Sequence, residues 1–337
     1  MLTFGRVRLI FFIKQNGLRP NESRMSTPSY EICDRLRVNM QSVLLGKESV
    51  VEYLVIALLG GGHVLLEDVP GVGKTLAAKS LAASIDGVFS RIQFTPDLLP
   101  SDITGSSIYR SDTREFEFSR GPVFSNILLA DEINRAPPRT QSALLEAMSD
   151  TQVSADGASY PLPTPFMVVG TQNPLDYEGT YPLPESQLDR FLFRLSVGYP
   201  SRQVERQVLT DHRGGPPVNE LSPQCDASEI AAIRQDVLAV RVDDAIADYL
   251  LDIVEATRRH RGFRVGVSTR AALSLYRGCQ ARAVTQHRDY VVPDDVKQLA
   301  VAALSHRVTP EGMFDGGDRG EIELQMTDLV DQIAVPM

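Results

Sequence analysis

The sequence predicts an α/β domain built around a buried parallel sheet, followed by a smaller domain made only of helices. Four short apolar segments, separated by stretches in which apolar residues recur at helical spacing, support the first prediction. Such an alternation is typical of a parallel sheet that is covered on both faces. After residue 200 only segments with helical spacing follow, which supports the second prediction. The chain of 337 residues is long enough for two such domains.

The order of these segments predicts the domain limits. The strand candidates are residues 63–67, 127–130, 166–170 and 192–197. Helices are expected at residues 30–43, 48–59, 76–85, 226–240, 243–261, 268–283 and 293–308. We therefore expect an α/β domain at 27–200, a linker at 201–222 and a helical domain at 223–337.

The first 26 residues are expected to lie outside both domains. Arg6 and Arg8 precede a run of only five apolar residues, which is shorter than the apolar region of a signal peptide. We expect residues 1–26 to be a disordered extension or the product of a start assigned too early, with Met25 as the true start.

Composition excludes some classes of protein. The formal net charge of −9 and the pI near 5.2 argue against a general nucleic-acid-binding protein, which usually carries a basic field. No stretch reaches the roughly 20 apolar residues that span a bilayer. Cys33, Cys225 and Cys279 share no metal-ligand spacing and are expected to be thiols in a reducing compartment. We therefore expect a cytoplasmic protein without a membrane span.

A phosphate-binding loop follows the first strand candidate. Residues 67–75 read Glu-Asp-Val-Pro-Gly-Val-Gly-Lys-Thr, and a helix is expected directly after them. Small residues at the start of a helix let successive backbone N–H groups close around phosphate oxygens. In such a loop Lys74 reaches the β- and γ-phosphates of ATP, and the hydroxyl of Thr75 binds Mg²⁺. A glycine turn with an incidental lysine is the alternative, which the strand–loop–helix context disfavours.

The loop departs from the usual pattern at one position. The first glycine of the pattern is Asp68 here, whereas Gly71 and Gly73 remain where the backbone wraps the phosphates most closely. The residues expected to bind the nucleotide are Asp68, Val69, Pro70, Gly71, Val72, Gly73, Lys74, Thr75 and Leu76.

Two further strand candidates end in polar side chains. The segment at 127–132 is an apolar strand that ends in Asp131 and Glu132, expected to hold Mg²⁺ and to polarise the attacking water, respectively. Asn173, after the next strand, is expected to face the γ-phosphate and that water. The alternatives are a solvated strand end for the acidic pair and a turn before Pro174 for the asparagine. Following a phosphate loop, these residues predict the second half of an ATP-hydrolysing site.

Three segments in combination resemble the MoxR family of AAA+ ATPases. They are residues 67–75, residues 130–141 (Ala-Asp-Glu-Ile-Asn-Arg-Ala-Pro-Pro-Arg-Thr-Gln) and residues 183–191 (Leu-Pro-Glu-Ser-Gln-Leu-Asp-Arg-Phe). The resemblance extends over roughly residues 30–308. It implies a P-loop NTPase core with a helical lid domain, ATP and Mg²⁺ as ligands, and assembly into a homo-oligomeric, hexameric ring.

The resemblance implies roles for two arginines. In AAA+ proteins an arginine just before the last core strand reaches the γ-phosphate bound by the neighbouring subunit, and Arg190 stands at that position; an ion pair with Asp189 or Glu185 is the alternative. Residues 266–271 (Gly-Val-Ser-Thr-Arg-Ala) resemble the second sensor of the family, with threonine in place of its usual proline. We expect Arg270, in the first turn of a helix, to face the nucleotide across the domain cleft.

Two segments are expected to form hairpins inserted in the α/β plan, at residues 102–124 and 151–165. In the family's clade, insertions at these places line the pore of the ring. This comparison predicts that Tyr109 and Phe116 contact a client protein. A surface that packs against other subunits is the alternative for the same aromatic side chains.

The expected function is remodelling, maturation or activation of a partner protein complex, driven by ATP hydrolysis. The resemblance implies that the partner is a separate protein with a von Willebrand factor A domain, since this chain has no metal-ion adhesion pattern of its own. Three alternatives are a nucleic-acid motor, the motor subunit of a metal chelatase, and a scaffold that hardly hydrolyses ATP. The acidic charge argues against the first, and the presence of Glu132, Asn173 and Arg190 together argues against the last.

Overall fold

The computed structural model describes residues 27–174, 179–211, 217–311 and 319–336; the predicted extension at 1–26 lies outside them. In chain order the elements are α1 (Thr27–Gln41), α2 (Glu48–Gly60), β1 (Val64–Glu67), α3 (Lys74–Ala83), β2 (Ile85–Asp86), β3 (Phe89–Gln93), α4 (Pro100–Thr104), β4 (Gly105–Arg110), β5 (Glu115–Arg120), β6 (Ile127–Asp131), α5 (Pro138–Asp150), β7 (Gln152–Ala155), β8 (Ala158–Pro161), β9 (Met167–Gln172), α6 (Glu185–Leu188), β10 (Phe193–Leu195), α7 (Arg202–Asp211), β11 (Cys225–Asp226), α8 (Ala227–Ala239), α9 (Asp244–Arg259), β12 (Phe263–Val265), α10 (Thr269–Thr285), α11 (Pro293–Leu304), β13 (Thr309–Pro310) and α12 (Arg319–Gln332).

Five parallel strands form the central sheet, in the order β10-β1-β9-β6-β3. Alternate residues along the strands enter two separate hydrophobic cores, because successive side chains of a strand point to opposite faces. Leu65 and Leu128 pack with α4 and α5 on one face, whereas Val64 and Leu129 pack with α1, α2 and α3 on the other. This arrangement confirms the predicted parallel sheet covered on both faces.

The edge strand β3 was not predicted by the sequence pattern. Its residues, Phe-Ser-Arg-Ile-Gln, include only two apolar side chains that are not at alternating positions, and only Ile92 among the five is buried. An edge strand of this kind lacks the apolar run that marks the buried strands. Its position beside β6 brings Arg91 and Gln93 to the same edge of the sheet as Asp131, since the two strands run parallel and in register.

The two expected hairpins are present. Strands β4 and β5 pair antiparallel, and so do β7 and β8. The second hairpin turns at Asp156 and Gly157, both of which adopt a left-handed backbone with φ of 51° and 78°. Gly and Asp adopt this conformation readily, which is why these two residues predicted a turn here.

Helices α8 to α12 pack on the face of the sheet that carries α1 and α2. Their buried side chains join the same core as those of α2 and β1. Helix α10 packs against α1 and α2, and α11 packs against β10. Tyr53 on α2 donates a hydrogen bond to the carbonyl oxygen of Gln298 at 2.9 Å. This packing decides where the first turn of α10 lies.

The described helices include none with the length and apolar character that a membrane crossing needs. The three cysteines are buried and are not joined in a disulfide. Burial raises the pKa of the Cys33 and Cys225 thiols to about 12. Both therefore stay protonated and unreactive at neutral pH.

Candidate functional site

A cavity of about 430 Å³ lies at the carboxyl ends of strands β1, β6 and β9. Parallel strands end at the same edge of their sheet, so the loops that follow them face one another. The cavity is lined by Pro70, Gly71, Gly73, Lys74, Thr75, Leu76, Arg91, Gln93, Asp131, Glu132, Thr171 and Asn173. Most of the residues predicted to act on a nucleotide are therefore brought together, with three that the sequence did not suggest.

The loop before α3 presents its backbone to this cavity. Gly71 and Gly73 have φ of 86° and 103°, a conformation that other residues rarely adopt, and a Cβ atom at either would meet no atom within 4 Å. The backbone there borders open space instead of packed side chains. Helix α3 begins at Lys74, so its amino terminus adds positive potential at the cavity.

Asp68, which replaces a glycine of the usual pattern, joins the phosphate loop to the segment that follows β10. Its carboxylate accepts hydrogen bonds from the Ser196 hydroxyl and the Gly198 N–H, both at 2.6 Å, and from the Val69 N–H at 2.7 Å. Burial raises the pKa of Asp68, but these three donors outweigh it and lower that pKa below its usual range. Asp68, Val69 and the buried Val72 lie outside the lining of the cavity, and their contact with nucleotide stays a prediction.

Lys74 joins the loop to the end of strand β9. Its ammonium group donates hydrogen bonds to the backbone oxygens of Asp68 and Gln172, the latter at 3.0 Å. Burial lowers the pKa of Lys74, and the carboxylates of Asp68, Asp131 and others partly offset that effect. The charge is thus held at the cavity wall, where an anion can approach it.

The acidic pair is held by its neighbours on two strands. Asp131 is buried; its Oδ1 accepts a hydrogen bond from the Thr171 hydroxyl at 2.6 Å, and its Oδ2 from Arg91 at 2.7 Å. The Thr171 oxygen accepts in turn from the Glu132 N–H at 2.9 Å. The Glu132 carboxylate accepts from the Gln93 amide at 2.8 Å and lies 3.1 Å from Nε of Arg135.

Three of these neighbours, Arg91, Gln93 and Thr171, were missed by the sequence analysis. Thr171 could have been found, since it lies two residues before Asn173 at the end of a predicted strand, and side chains two residues apart in an extended segment point the same way. Arg91 and Gln93 could have been found only by recognising the edge strand β3, whose pattern gives a weak signal.

A second cavity, of about 260 Å³, lies at the opposite edge of the sheet, next to His63, which precedes β1. It is lined by Gly60, Gly61, Gly62, His63, Met148, Ser149, Asp189, Arg190, Leu192, Arg270, Leu273, Ser274 and Arg277. Arg190 and Arg270 therefore share one cavity, and neither lines the cavity at the phosphate loop. The expectation that Arg270 faces the nucleotide of its own chain is not met, because α10 packs beside α2 and carries its first turn to the amino edge of the sheet.

Arg190 is held against α5 by a backbone contact. One of its terminal nitrogens donates to the carbonyl oxygen of Leu145 at 2.7 Å, and within the described residues it forms no ion pair with Asp189 or Glu185. The buried Arg307 fixes the backbone on both sides of Arg190, donating to the carbonyl oxygens of Asp189 at 3.0 Å and Phe191 at 2.8 Å. Burial lowers the pKa of Arg307 to about 10, so it stays charged.

Comparisons with known proteins agree with this geometry. Residues 63–193 match the ATPase family associated with various cellular activities (AAA), and residues 255–325 match the AAA lid domain. YeaC of Bacillus subtilis is 48% identical over 301 residues, which cover 89% of this chain and 93% of that protein. Chaperone MoxR1 of Mycobacterium tuberculosis is 42% identical over 284 residues, which cover 82% of this chain and 75% of that protein.

A solved structure shares the fold. The crystal structure of a protein from Cytophaga hutchinsonii superposes with a TM-score of 0.83 at 36% sequence identity, covering 92% of this chain and 96% of that one. The parallel sheet, the helical segment that matches the lid domain and the identity to a named MoxR protein lead to one assignment: the chain belongs to the MoxR family of AAA+ ATPases.

Proposed function

We propose that this protein hydrolyses Mg²⁺-ATP within a homo-oligomeric, hexameric ring in the cytoplasm, and uses the energy to remodel or activate a partner protein complex. The observation that carries the proposal is the meeting of Lys74, Thr75, Asp131, Glu132 and Asn173 around one cavity at the carboxyl edge of the sheet. A phosphate-binding lysine, metal-binding oxygens and a candidate base are the parts that phosphoryl transfer to water requires.

The residues at this cavity fit a magnesium–nucleotide complex. The open backbone at Gly71 and Gly73 and the amino terminus of α3 suit phosphate oxygens. Thr75 and Asp131 offer one hydroxyl and one carboxylate, which are oxygen ligands that Mg²⁺ accepts alongside phosphate and water. Bound there, Mg²⁺ would neutralise charge on the phosphates.

Each side chain of the cavity then has a chemical task. Lys74 binds the β- and γ-phosphates, and the backbone from Pro70 to Leu76 surrounds them. Glu132 accepts a proton from the attacking water, and Asn173 orients that water by hydrogen bonding. In the structure the Oε2 atom of Glu132 accepts from Gln93, and a carboxylate offers a second oxygen that can accept from the attacking water.

The arginines at the opposite edge of the sheet would complete a neighbouring site. Arg190 and Arg270 line the cavity beside His63, and they are proposed to contact a nucleotide held by the next subunit. An arginine supplied in this way stabilises the charge of the transition state. Hydrolysis is therefore proposed to depend on assembly of the ring.

The identity of the partner rests on family likeness. A relative with 42% identity is named a chaperone, and we extend that role to this chain as part of the proposal. The partner is proposed to be a separate protein with a von Willebrand factor A domain. Tyr109 and Phe116, which are 53% and 74% exposed on the first hairpin, are proposed to contact it.

A nucleic-acid motor and a chelatase motor subunit are the competing proposals. The net charge of −9 disfavours the first, because non-specific nucleic-acid binding depends on a basic surface. Two relatives that cover 82% and 89% of this chain carry MoxR names, which disfavours the second.

The experiment that tests the function is capture of partners by a Glu132→Gln variant in the presence of ATP. Loss of the base should leave nucleotide bound, the ring assembled and the partner held. Lys74→Ala is the matched control, because it should not bind nucleotide.

Recovery of a von Willebrand A-domain protein or an immature complex by Glu132→Gln alone would support the proposal. Recovery of nuclease-sensitive nucleic acid would favour the motor instead. The same proteins recovered with both variants would show that ATP does not control capture, which contradicts the proposed mechanism.

A further inference from the structure

One face of helix α10 borders the cavity at the amino edge of the sheet. Arg270, Leu273, Ser274 and Arg277 all line this cavity, and their spacing of three, four and seven residues places them on one side of the helix. Leu273 is 57% exposed although it lies at a cavity wall. The stripe is thus left uncovered within a single chain.

Arg277 has no partner for its charge within the described part of the chain. No hydrogen bond or ion pair of its side chain is formed there, although the residue is half-buried. By contrast Arg190 donates to a backbone carbonyl, and Arg270 lies 3.5 Å from the Ser149 hydroxyl. A half-buried guanidinium at a cavity wall is still partly hydrated, and an anion that enters the cavity can form charge-assisted hydrogen bonds with it.

The cavity as a whole carries excess positive charge. Arg190, Arg270 and Arg277 line it together with a single carboxylate, Asp189. That carboxylate is already engaged, since it lies 3.2 Å from the buried Arg307. Within the described residues, the excess positive charge at this cavity wall is therefore not balanced.

The nucleotide cavity of a second copy supplies the complementary charge. The charged side chains that line it are Lys74 and Arg91 against Asp131 and Glu132, so the protein groups cancel. The uncompensated negative charge in such a cavity is the bound triphosphate. A phosphate group is also the anion that the planar guanidinium binds best.

We propose that Arg277 is a third arginine that contacts the triphosphate of the neighbouring subunit, beside Arg190 and Arg270. This inference rests on the proposed ring and adds a residue to its shared site. The uncovered stripe on α10 is then a contact surface for a second copy of this chain, with Leu273 buried between the two.

Mixing two inactive variants tests the inference. Arg277→Gln should bind nucleotide with unchanged affinity but lose ATPase activity by on the order of tenfold or more. Lys74→Ala should be inactive yet should keep its own arginines. In a mixed ring, the intact loop of an Arg277→Gln subunit beside a Lys74→Ala subunit forms a complete site, so mixing should restore activity. Arg259→Gln, an exposed arginine paired with Glu255, is the matched control.

The same mixture made with Arg190→Ala separates the inference from the proposed function. Restoration with both arginine variants supports the inference. Restoration with Arg190→Ala but not with Arg277→Gln, or full activity of Arg277→Gln alone, overturns it and leaves the ring intact. Failure of both mixtures overturns the shared site and the inference together. A nucleotide affinity that falls in isolated Arg277→Gln subunits would place the residue in its own chain's site and also overturn it.

Discussion

Glu132 occupies a backbone conformation that few residues other than glycine adopt. Its φ of 57° and ψ of 50° lie in the left-handed region, directly after strand β6. Such a conformation is unfavourable for a residue with a Cβ atom and persists where the surroundings hold it. Here the Thr171 hydroxyl holds the Glu132 N–H, and Gln93 holds its carboxylate. Local strain thus coincides with the proposed base.

Arg91 pairs with Asp131, the proposed Mg²⁺ ligand, at the carboxylate that a metal ion would bind. It pairs with the buried Asp131 at 2.7 Å, and its own side chain is 45% exposed. The guanidinium must therefore compete with Mg²⁺ for the same carboxylate. We predict that Arg91→Gln lowers the Mg²⁺ concentration needed for tight ATP binding by about threefold, which corresponds to about 0.7 kcal/mol.

A titration of Mg²⁺ at a fixed concentration of a fluorescent ATP analogue checks this prediction. Arg259→Gln, which removes an exposed ion pair elsewhere, serves as the control. A higher Mg²⁺ requirement in Arg91→Gln would instead identify Arg91 as a contact of the phosphates.

His63 couples the stability of the sheet to pH. Its Nδ1 accepts a hydrogen bond from the Val168 N–H at 3.0 Å, and Nε2 lies 3.2 Å from the carbonyl oxygen of Met148, which fits a neutral ring. Burial lowers the pKa of His63 from 6.5 to about 4. Between these two values the unfolded chain binds a proton at this site and the folded chain does not. The contribution of the neutral His63 to stability is thus fully present above pH 6.5 and is lost as the pH falls toward 4.

We predict that lowering the pH from about 7 to about 5 reduces the unfolding free energy by on the order of 2 kcal/mol through His63 alone. Urea unfolding of the natural protein and of His63→Gln at both pH values measures it. The variant should be less stable at pH 7 but should lose less on acidification. An equal loss in the two proteins would show that His63 is not the group that titrates.

At the scale of elements, some aromatic side chains of the first hairpin pack against the second hairpin, and others face the solvent. Phe118 stacks on Tyr160 of the second hairpin with ring centroids 4.2 Å apart, whereas Phe116 pairs with Tyr109 on the solvent side at 5.4 Å. The inner ring therefore holds the two hairpins together. The outer rings are available for another molecule.

We predict opposite consequences for the two phenylalanines. Phe116→Ser should change the unfolding free energy by less than about 0.5 kcal/mol, because the ring is already solvated, but should reduce partner capture in the Glu132→Gln background. Phe118→Ser should lower stability by about 1 kcal/mol or more, since it removes a stacked pair. Thermal unfolding and the capture experiment measure the two effects. Full capture by Phe116→Ser would indicate that the exposed rings contact other subunits instead.

At the scale of the whole molecule, the two cavities lie at opposite edges of one sheet. The carboxyl edge holds the phosphate loop and the acidic pair, and the amino edge holds the arginines. A single chain therefore cannot bring both sets to one nucleotide without unfolding its sheet. Repetition of the chain around a ring would bring the two edges together.

We predict that ATPase activity per subunit falls when dilution dissociates the protein. The physical reason is the proposed shared site, in which Arg190 and Arg270 reach a nucleotide only across a subunit boundary. Activity measured over a dilution series, alongside sedimentation at the same concentrations, checks this prediction. Activity per subunit that stays constant through dissociation would contradict a shared site.

The sequence by itself determined the fold class and those candidate site residues that stand next to predicted strands along the chain. The candidate site residues lie at the ends of buried strands, just after them, or at the start of the next helix, where apolar runs and loop residues give strong local signals; they are Lys74, Thr75, Asp131, Glu132 and Asn173. Parallel strands then bring these positions to one edge of the sheet without further information.

Only the tertiary structure decided which side chains hold the acidic pair and where the arginines lie. The edge strand carrying Arg91 and Gln93 has too little buried surface to leave an apolar pattern in the sequence. Arg270 is placed by the packing of α10 against α1 and α2, contacts between residues more than 200 positions apart in the chain. No local pattern encodes such a contact, because it depends on how the surfaces of distant helices fit together.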